Sequence, residues 1–304
     1  MKILSFGNFT GVGWDGSRTD ENHIADTLED LGHEVIRWQR EYTDVETPVN
    51  FQPDFVLVAQ WEGYEHRIST LKTRYTPIVY WAFDYQADGQ EWHERLVRES
   101  NLYLSKRIAD SKYPNWQWLS QDFAPEFLDR YDPTELVEKD IDVLFTGSYL
   151  PWADERNKLL RIVANNFNLV VHSVNEWPED IIPKGSQPPI MDEGLPKLYA
   201  RAKIVLSIDH TLESGYWSDR NAQAMACGAF VLFRYVPLSE SVFRNNIAYF
   251  YSIDDCCDKL VNLLRTDITP IREEYAQKGY EYAQANLKVK NRVMDLLTIV
   301  GSIL

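Results

Sequence analysis

Arg220-Asn-Ala-Gln-Ala-Met-Ala-Cys-Gly-Ala-Phe-Val-Leu232 reads as a short helix that stops at a glycine and runs straight into a buried strand. Ala222, Ala224, Met225 and Ala226 are small or apolar, so the helix can pack closely, and Gly228 can supply the positive φ that ends it. Residues 229–233 form a continuous apolar run, the pattern of a parallel strand covered on both faces. Arg220 and Gln223 are three apart and project from one side of the helix near its start. A polar pair at a helix start that faces a cleft can hold a phosphate or a ribose. A solvated first turn accounts for the same pair equally well on spacing alone.

Working outward, strand and helix signals alternate from end to end. Residues 3–6 read as a strand, followed by a loop with Gly7, Gly11, Gly13 and Gly16. A helix then starts at Thr19 or Asp20, carries Ile24, Leu28 and Leu31 on one face, and ends at Gly32. Further strands are expected at 33–38, 54–59, 77–83 and 101–105. The pattern restarts near Asp142, with strands at 143–145, 169–172, 204–208 and 248–251 and helices at 154–165 and 195–202. Two or three closing helices follow from Asp254, the last over about 289–304 with Val293, Leu296, Leu297 and Val300 on its apolar side. This alternation predicts an α/β protein of two tandem Rossmann-like domains, 1–140 and 141–304, facing a cleft lined by the carboxyl ends of their strands. The boundary is expected in the polar stretch 131–140. Residues 175–193 lack periodicity and are expected as a long loop, a kind that is often functional or mobile.

A chain of 304 residues is comfortable for two domains, and 44% hydrophobic with 25% charged residues is ordinary for a globular protein. The net charge of -15 disfavours a groove for duplex nucleic acid, which wants a basic face. Cys227, Cys256 and Cys257 make no disulfide or metal pattern, which places the chain in a reducing, cytoplasmic setting. Met1-Lys-Ile-Leu-Ser-Phe-Gly reads as a strand entering a turn rather than a signal peptide. No apolar run approaches the roughly 20 residues needed to cross a bilayer, so stable membrane insertion is not expected.

The opening segment resembles the motif of group 1-type glycosyltransferases of the GT-B fold, whose usual form is Arg-x-x-Glu-Ala-Met-Ala-Cys-Gly. It is most similar to the spore-maturation-protein-like branch. Asp142-Val-Leu-Phe-Thr-Gly-Ser148 followed by Arg156 resembles the strand and loop that open the donor domain of that family. Leu195-Pro-Lys-Leu-Tyr-Ala-Arg-Ala-Lys-Ile-Val-Leu-Ser207 resembles its next helix and strand, and residues 245–255 resemble the strand and acidic turn after the motif. The resemblance is close over roughly 141–300 and holds in outline over 1–140. It implies transfer of a sugar from a nucleotide-diphosphate-sugar donor to an acceptor, with retention at the anomeric carbon. It also implies no metal, no cofactor besides the donor substrate, and a C-terminal helix that crosses back to the first domain. The acceptor is left open between a glycan, a lipid-linked or small molecule, and a modified nucleic acid.

The candidates for donor binding are Gly11, Gly13, Ser148, Arg156, His172, Arg220 and Gln223, of which the resemblance implies the glycines, Arg156, Arg220 and Gln223. Arginine presents a planar fork suited to phosphate oxygens, which fits Arg156 and Arg220; each can also be a helix-surface residue. Lys158 is a weaker second candidate. His172 ends a strand of the second half and is placed to meet the base. The glycines are not a dinucleotide fingerprint, and the bland reading of Gly11 and Gly13 is a surface loop. The family's glutamate, which accepts hydrogen bonds from ribose hydroxyls, is Gln223 here; a glutamine keeps one acceptor and adds two donors, without the charge. The family's second acidic position falls on Gly215, and Glu213 is out of register with it. His23 and Asp84 are the catalytic candidates, for contact with phosphate and for proton transfer from an acceptor hydroxyl. A structural histidine and a turn-capping aspartate are the bland readings. Gln223 and Gly215 keep open a nucleotide- or carbohydrate-binding module without turnover, and a transferase acting on modified nucleic-acid bases is the third class.

Overall fold

The computed structural model describes residues 1–10, 19–39, 51–59, 72, 77–83, 90–121, 123–125, 137–190 and 194–303. Gly11, Gly13 and Asp84 lie outside the described residues. The chain divides into two units, one of residues 1–121 with 289–304 and one of residues 122–288.

The first unit contains β1 (Lys2–Gly7), α1 (Asp20–Asp30), β2 (Glu34–Gln39), β3 (Phe55–Ala59), β4 (Ile78–Trp81), α2 (Glu91–Glu99), β5 (Leu102–Ser105) and β6 (Trp116–Trp118). Its strands pair in the order β2-β1-β3-β4-β5-β6, every pair parallel. The all-apolar run of β3 is buried along its whole length, as a strand between two helical layers must be. Helix α2, the 3-10 turn Ile108–Lys112 and β6 are additions to the expected elements.

The second unit contains β7 (Ile141–Thr146), α3 (Asp154–Asn166), β8 (Leu169–His172), α4 (Leu195–Arg201), β9 (Ala202–Ser207), α5 (Arg220–Ala226) and β10 (Val231–Arg234). It closes with α6 (Ser239–Phe243), β11 (Ala248–Phe250), α7 (Ile253–Leu263) and α8 (Thr269–Asn286). The order β11-β10-β9-β7-β8 is again all parallel. Read from its β8 edge, the second sheet begins with its second strand, then its first, then its third, as the first sheet does from its β2 edge. The strand order reverses between β1 and β3 in one sheet and between β7 and β9 in the other. In open α/β sheets, ligands bind outside the carboxyl ends of the strands at such a reversal.

Gly228 has φ 68, and the helix closes around it: its N–H donates to Met225 O and that of Ala229 to Ala224 O, both at 3.0 Å. This paired closure satisfies the last carbonyls of α5. It also delays the strand, which begins at Val231 rather than at residue 229. Helix α8 crosses α5 closely at Gly279, where a β-carbon would stand 3.0 Å from Asn246 O and 3.8 Å from Met225 Cε. The final helix α9 (Val289–Gly301) belongs to the first unit and packs against α1, burying Val293, Leu296 and Val300. The expected return of the last helix to the first domain is thus observed. Among the described residues, no helix is long and apolar enough to cross a membrane.

Candidate functional site

The reversal point of the second sheet is built from the ends of β7 and β9. Strand β7 ends at Thr146, whose hydroxyl lies 3.1 Å from the phenol oxygen of buried Tyr199 on α4. Burial pushes that phenol up to about 12. Gly147 follows with φ 156, a backbone region essentially open to glycine alone. Its N–H donates to His172 O at 2.9 Å. A β-carbon on Gly147 would come within 2.9 Å of the Arg220 Nη2 atom and 3.1 Å of the Phe145 ring. The bare backbone at this position is what lets an arginine lie across the strand end.

The loop from Gly147 to Ala153 is tied down from several sides. Trp177 Nε1 donates to Gly147 O at 3.1 Å, and the Trp177 ring meets Phe145 edge-on at 5.8 Å. Asn175 bonds both backbone groups of Tyr149, and Asn157 Nδ2 donates to Leu150 O. Trp177, Ile181 and Ile182 are all buried in the core of this unit. The described part of the long loop, residues 175–190, is thus anchored by its apolar side chains and braces the strand end.

Two guanidinium groups occupy this place. Arg156, on the first turn of α3, is 4% exposed and donates from Nη2 to Ser148 O at 2.9 Å. Arg220, the first residue of α5, stacks 5.1 Å from the centroid of the Phe145 ring, while Arg156 lies 6.0 Å from the same ring and 5.8 Å from that of Trp177. Both cations thus lie against the Phe145 ring. The carboxylate facing them is Asp209, just past the end of β9, with its side chain 3% exposed. Its Oδ1 is 3.6 Å from Arg220 Nη1, and its Oδ2 accepts from Ser218 N at 3.2 Å. Burial and the neighbouring Arg220 charge lower the Arg156 guanidinium to about 10, while Asp209 acts in the opposite direction.

Arg156 Nε and Arg220 Nη1 are buried without a hydrogen-bond partner. So are Ser207 Oγ, Ser218 Oγ and both polar atoms of Asn221, which flank Asp209 and Arg220 in sequence. An unmet buried polar group costs roughly 1–3 kcal/mol, more when it is charged. Two buried cations against one carboxylate, with donors left over, form a receptor for an anion with several acceptor oxygens.

The structure brings Ser148, Arg156 and Arg220 together, and His172 pairs in register with Thr146 at the same strand end. His172 Nδ1 lies 2.7 Å from Pro188 O, so that nitrogen carries the hydrogen and Nε2 is left as an acceptor. Gln223 is on the same helix as Arg220 and donates from Nε2 to Asp219 Oδ2 at 2.5 Å. Lys158 lies apart from the arginine pair and lines a separate cavity of about 510 Å³ with Glu155, Arg234 and Tyr251. His23 is buried on α1 in the other unit, and Thr27 donates to its carbonyl. Sequence reasoning missed Asp209, Asp219, Gly147, Tyr199 and Trp177. Asp209 had a signal, since a carboxylate directly after an apolar strand beside the motif is where a reversal-point ligand sits. Trp177 had none, because its role depends on how an aperiodic loop folds back. Among the described residues, no three His, Cys, Asp or Glu side chains come together as a metal site.

Residues 153–298 match the family described as Glycosyl transferase-like. No curated protein matches the chain. The fold is similar to that of sucrose-phosphate synthase from Thermosynechococcus elongatus, with a TM-score of 0.67 at 10% identity over 99% of this chain and 98% of that one. HepE from Anabaena, solved in complex with UDP and glucose, is similar at a TM-score of 0.65 and 12% identity over 99% and 100% of the two chains. A DNA-modifying β-glucosyltransferase is similar at a TM-score of 0.66 and 15% identity over the same shares. These likenesses establish a GT-B fold along the whole chain.

Proposed function

From a GT-B chain whose residues 153–298 form a glycosyl transferase-like domain, we infer a glycosyltransferase that uses a nucleotide-diphosphate sugar as donor. The observation that carries this reading is the buried Arg156–Arg220 pair facing the single carboxylate of Asp209. A diphosphate supplies the missing negative charge and the acceptor oxygens that Arg156 Nε and Arg220 Nη1 lack. When the bond between sugar and diphosphate breaks, negative charge develops on the leaving oxygen. Two fixed guanidiniums in a site of low dielectric stabilise that charge without reorganising, and need no metal ion to do so. His172 Nε2 is available as an acceptor for a donor N–H or hydroxyl. His23 and Asp84 stay as candidates for the acceptor side. HepE was solved with UDP and glucose, so uridine is the first base to try.

The test is thermal unfolding of the purified chain against UDP, GDP, ADP, CDP and dTDP, followed by product analysis with the matching nucleotide sugars. A diphosphate at 100 times its dissociation constant stabilises the folded chain by about 2.7 kcal/mol. The expected result is a shift with one diphosphate, its loss in Arg220→Ala, and transfer with retained anomeric configuration by NMR. A shift without hydrolysis or transfer would point to a binding module. No shift with any diphosphate would remove the donor site. Binding of DNA that weakens steeply with salt would favour a nucleic-acid acceptor.

A further inference from the structure

We propose that Asp209 is a specificity-determining residue of the arginine site, weakening its hold on a free nucleoside diphosphate more than its hold on the intact nucleotide sugar. This role rests on the nucleotide-sugar reading of that site and concerns release of the product. The two ligands differ by one charge. A diphosphate esterified at both ends carries one negative charge on each phosphate. Once the sugar has left, the terminal phosphate is a monoester, and such a group loses a further proton at about pH 6. A site made of cations alone therefore attracts the product more strongly than the donor. Product release limits the turnover of many enzymes, so that excess attraction would cost rate.

The structure holds a counter-charge in place against it. Asp209 stands just past the end of β9, with its side chain 3% exposed. Its Oδ1 is ion-paired with Arg220 Nη1 at 3.6 Å, and its Oδ2 accepts from Ser218 N at 3.2 Å, so both carboxylate oxygens are held. Arg156 feels the same carboxylate, which opposes the effects of burial and of Arg220 on its guanidinium. One carboxylate offsets half the charge of the two guanidiniums and leaves them attractive to an anion. Water screens weakly around groups this buried, so the field of Asp209 reaches any phosphate seated on the arginines. It costs the two charges of the donor something and the third charge of the product more. A carboxylate that served only to orient Arg220 would change the binding of both ligands by one factor, whereas its charge changes them unequally.

The experiment is isothermal titration of UDP, GDP and ADP, each against its β-methyl ester, into the wild-type chain, Asp209→Asn and Asp209→Glu at about pH 8, above the second ionisation of a terminal phosphate. The ester carries the donor's two charges without any sugar, so the comparison isolates the third charge. For the base that binds, the wild type should hold the two forms within about threefold of each other. Asp209→Asn should shift that ratio roughly tenfold toward the diphosphate, and Asp209→Glu, which keeps the charge, should leave it near the wild-type value. A wild type that already prefers the diphosphate by roughly tenfold or more would overturn the proposal, and this arm decides even if Asp209→Asn does not fold. So would an unchanged ratio in Asp209→Asn, the mark of a carboxylate that only positions Arg220. A ratio in Asp209→Glu that follows Asp209→Asn would overturn it too, by assigning the effect to shape rather than charge. In each of these cases the arginine site still stands. If neither form of any base bound, the donor reading and this proposal would fall together.

Discussion

The two units use the same strand order and bury arginine in opposite ways. In the first, Arg107 is 4% exposed and meets Asp110 at 3.2 Å, and Asp110 also accepts from Tyr103 and Ser105 at 2.6 and 2.7 Å. Tyr103 and Tyr80 in turn bond the two ring nitrogens of His93, each at 3.3 Å. That network is closed, with charge matched to charge. In the second unit, two arginines share one carboxylate, Arg220 at a looser 3.6 Å, and Arg156 Nε and Arg220 Nη1 have no hydrogen-bond partner. The difference separates a polar network that holds a fold from one that waits for a ligand. Burial alone does not separate them, because all three arginines are largely buried.

The comparison breaks most directly through the arginines themselves. Arg107→Met leaves Asp110 buried and uncompensated, and should cost about 3–5 kcal/mol of stability in denaturant titration. Arg220→Met relieves a crowded positive site, so the unliganded chain should unfold at nearly the wild-type midpoint. Its transfer activity should fall by roughly 10²–10³ in kcat, as when a charge-stabilising donor is lost. Equal destabilisation by the two variants would erase the distinction. A smaller effect is expected of Gly147→Ala, whose β-carbon would displace Arg220 and occupy a backbone region that costs of order 1–3 kcal/mol. Weakened diphosphate binding together with a modest loss of stability would place the glycine in the site; binding at wild-type strength would remove it.

The closed network sharpens the contrast through pH. Burial lowers His93 below its ordinary 6.5, although Asp110 and Glu94 pull it the other way. The folded chain therefore resists protonation that the unfolded chain accepts. Stability contributed at neutral pH should fall as pH drops through about 6.5, and level off once the folded-state histidine is also protonated. His93→Gln should flatten that dependence in thermal unfolding between pH 5 and 8. The smallest expected effect is that of a chelator. With arginines supplying the positive charge, EDTA should leave the transfer rate unchanged, and a large loss would mean that a metal does part of their work.

Much of this architecture is legible in the sequence because its cues are local. The apolar run of β3, the small residues of α5 and Gly228 at a positive φ each specify their own element. Arg156 and Arg220 were reachable because the resemblance singled out both, each in the first turn of its helix. Asp219 was not, since what matters about it is which amide it faces; Asp209 has a signal in its place after an apolar strand, but the cation it faces depends on residues packed from other elements. The gap between a family glutamate and Gln223 looked like a missing charge in the sequence. In the folded chain a carboxylate stands 2.5 Å away. Strand β6 is illegible for a different reason, since three residues carry too little period to declare themselves, whereas the apolar face of α2 at His93, Leu96 and Val97 was there to be read.

The return of α9 to α1 bears on how the protein is made. The first unit gathers residues 1–121 and 289–304, so its last helix leaves the ribosome only after the whole second unit. At about 5–20 residues per second, the interval is on the order of ten seconds or more. Throughout it, the apolar side of α1 has no α9 to cover it, while the second unit already holds every strand of its own sheet. During synthesis, the half that begins first is therefore the half that finishes last.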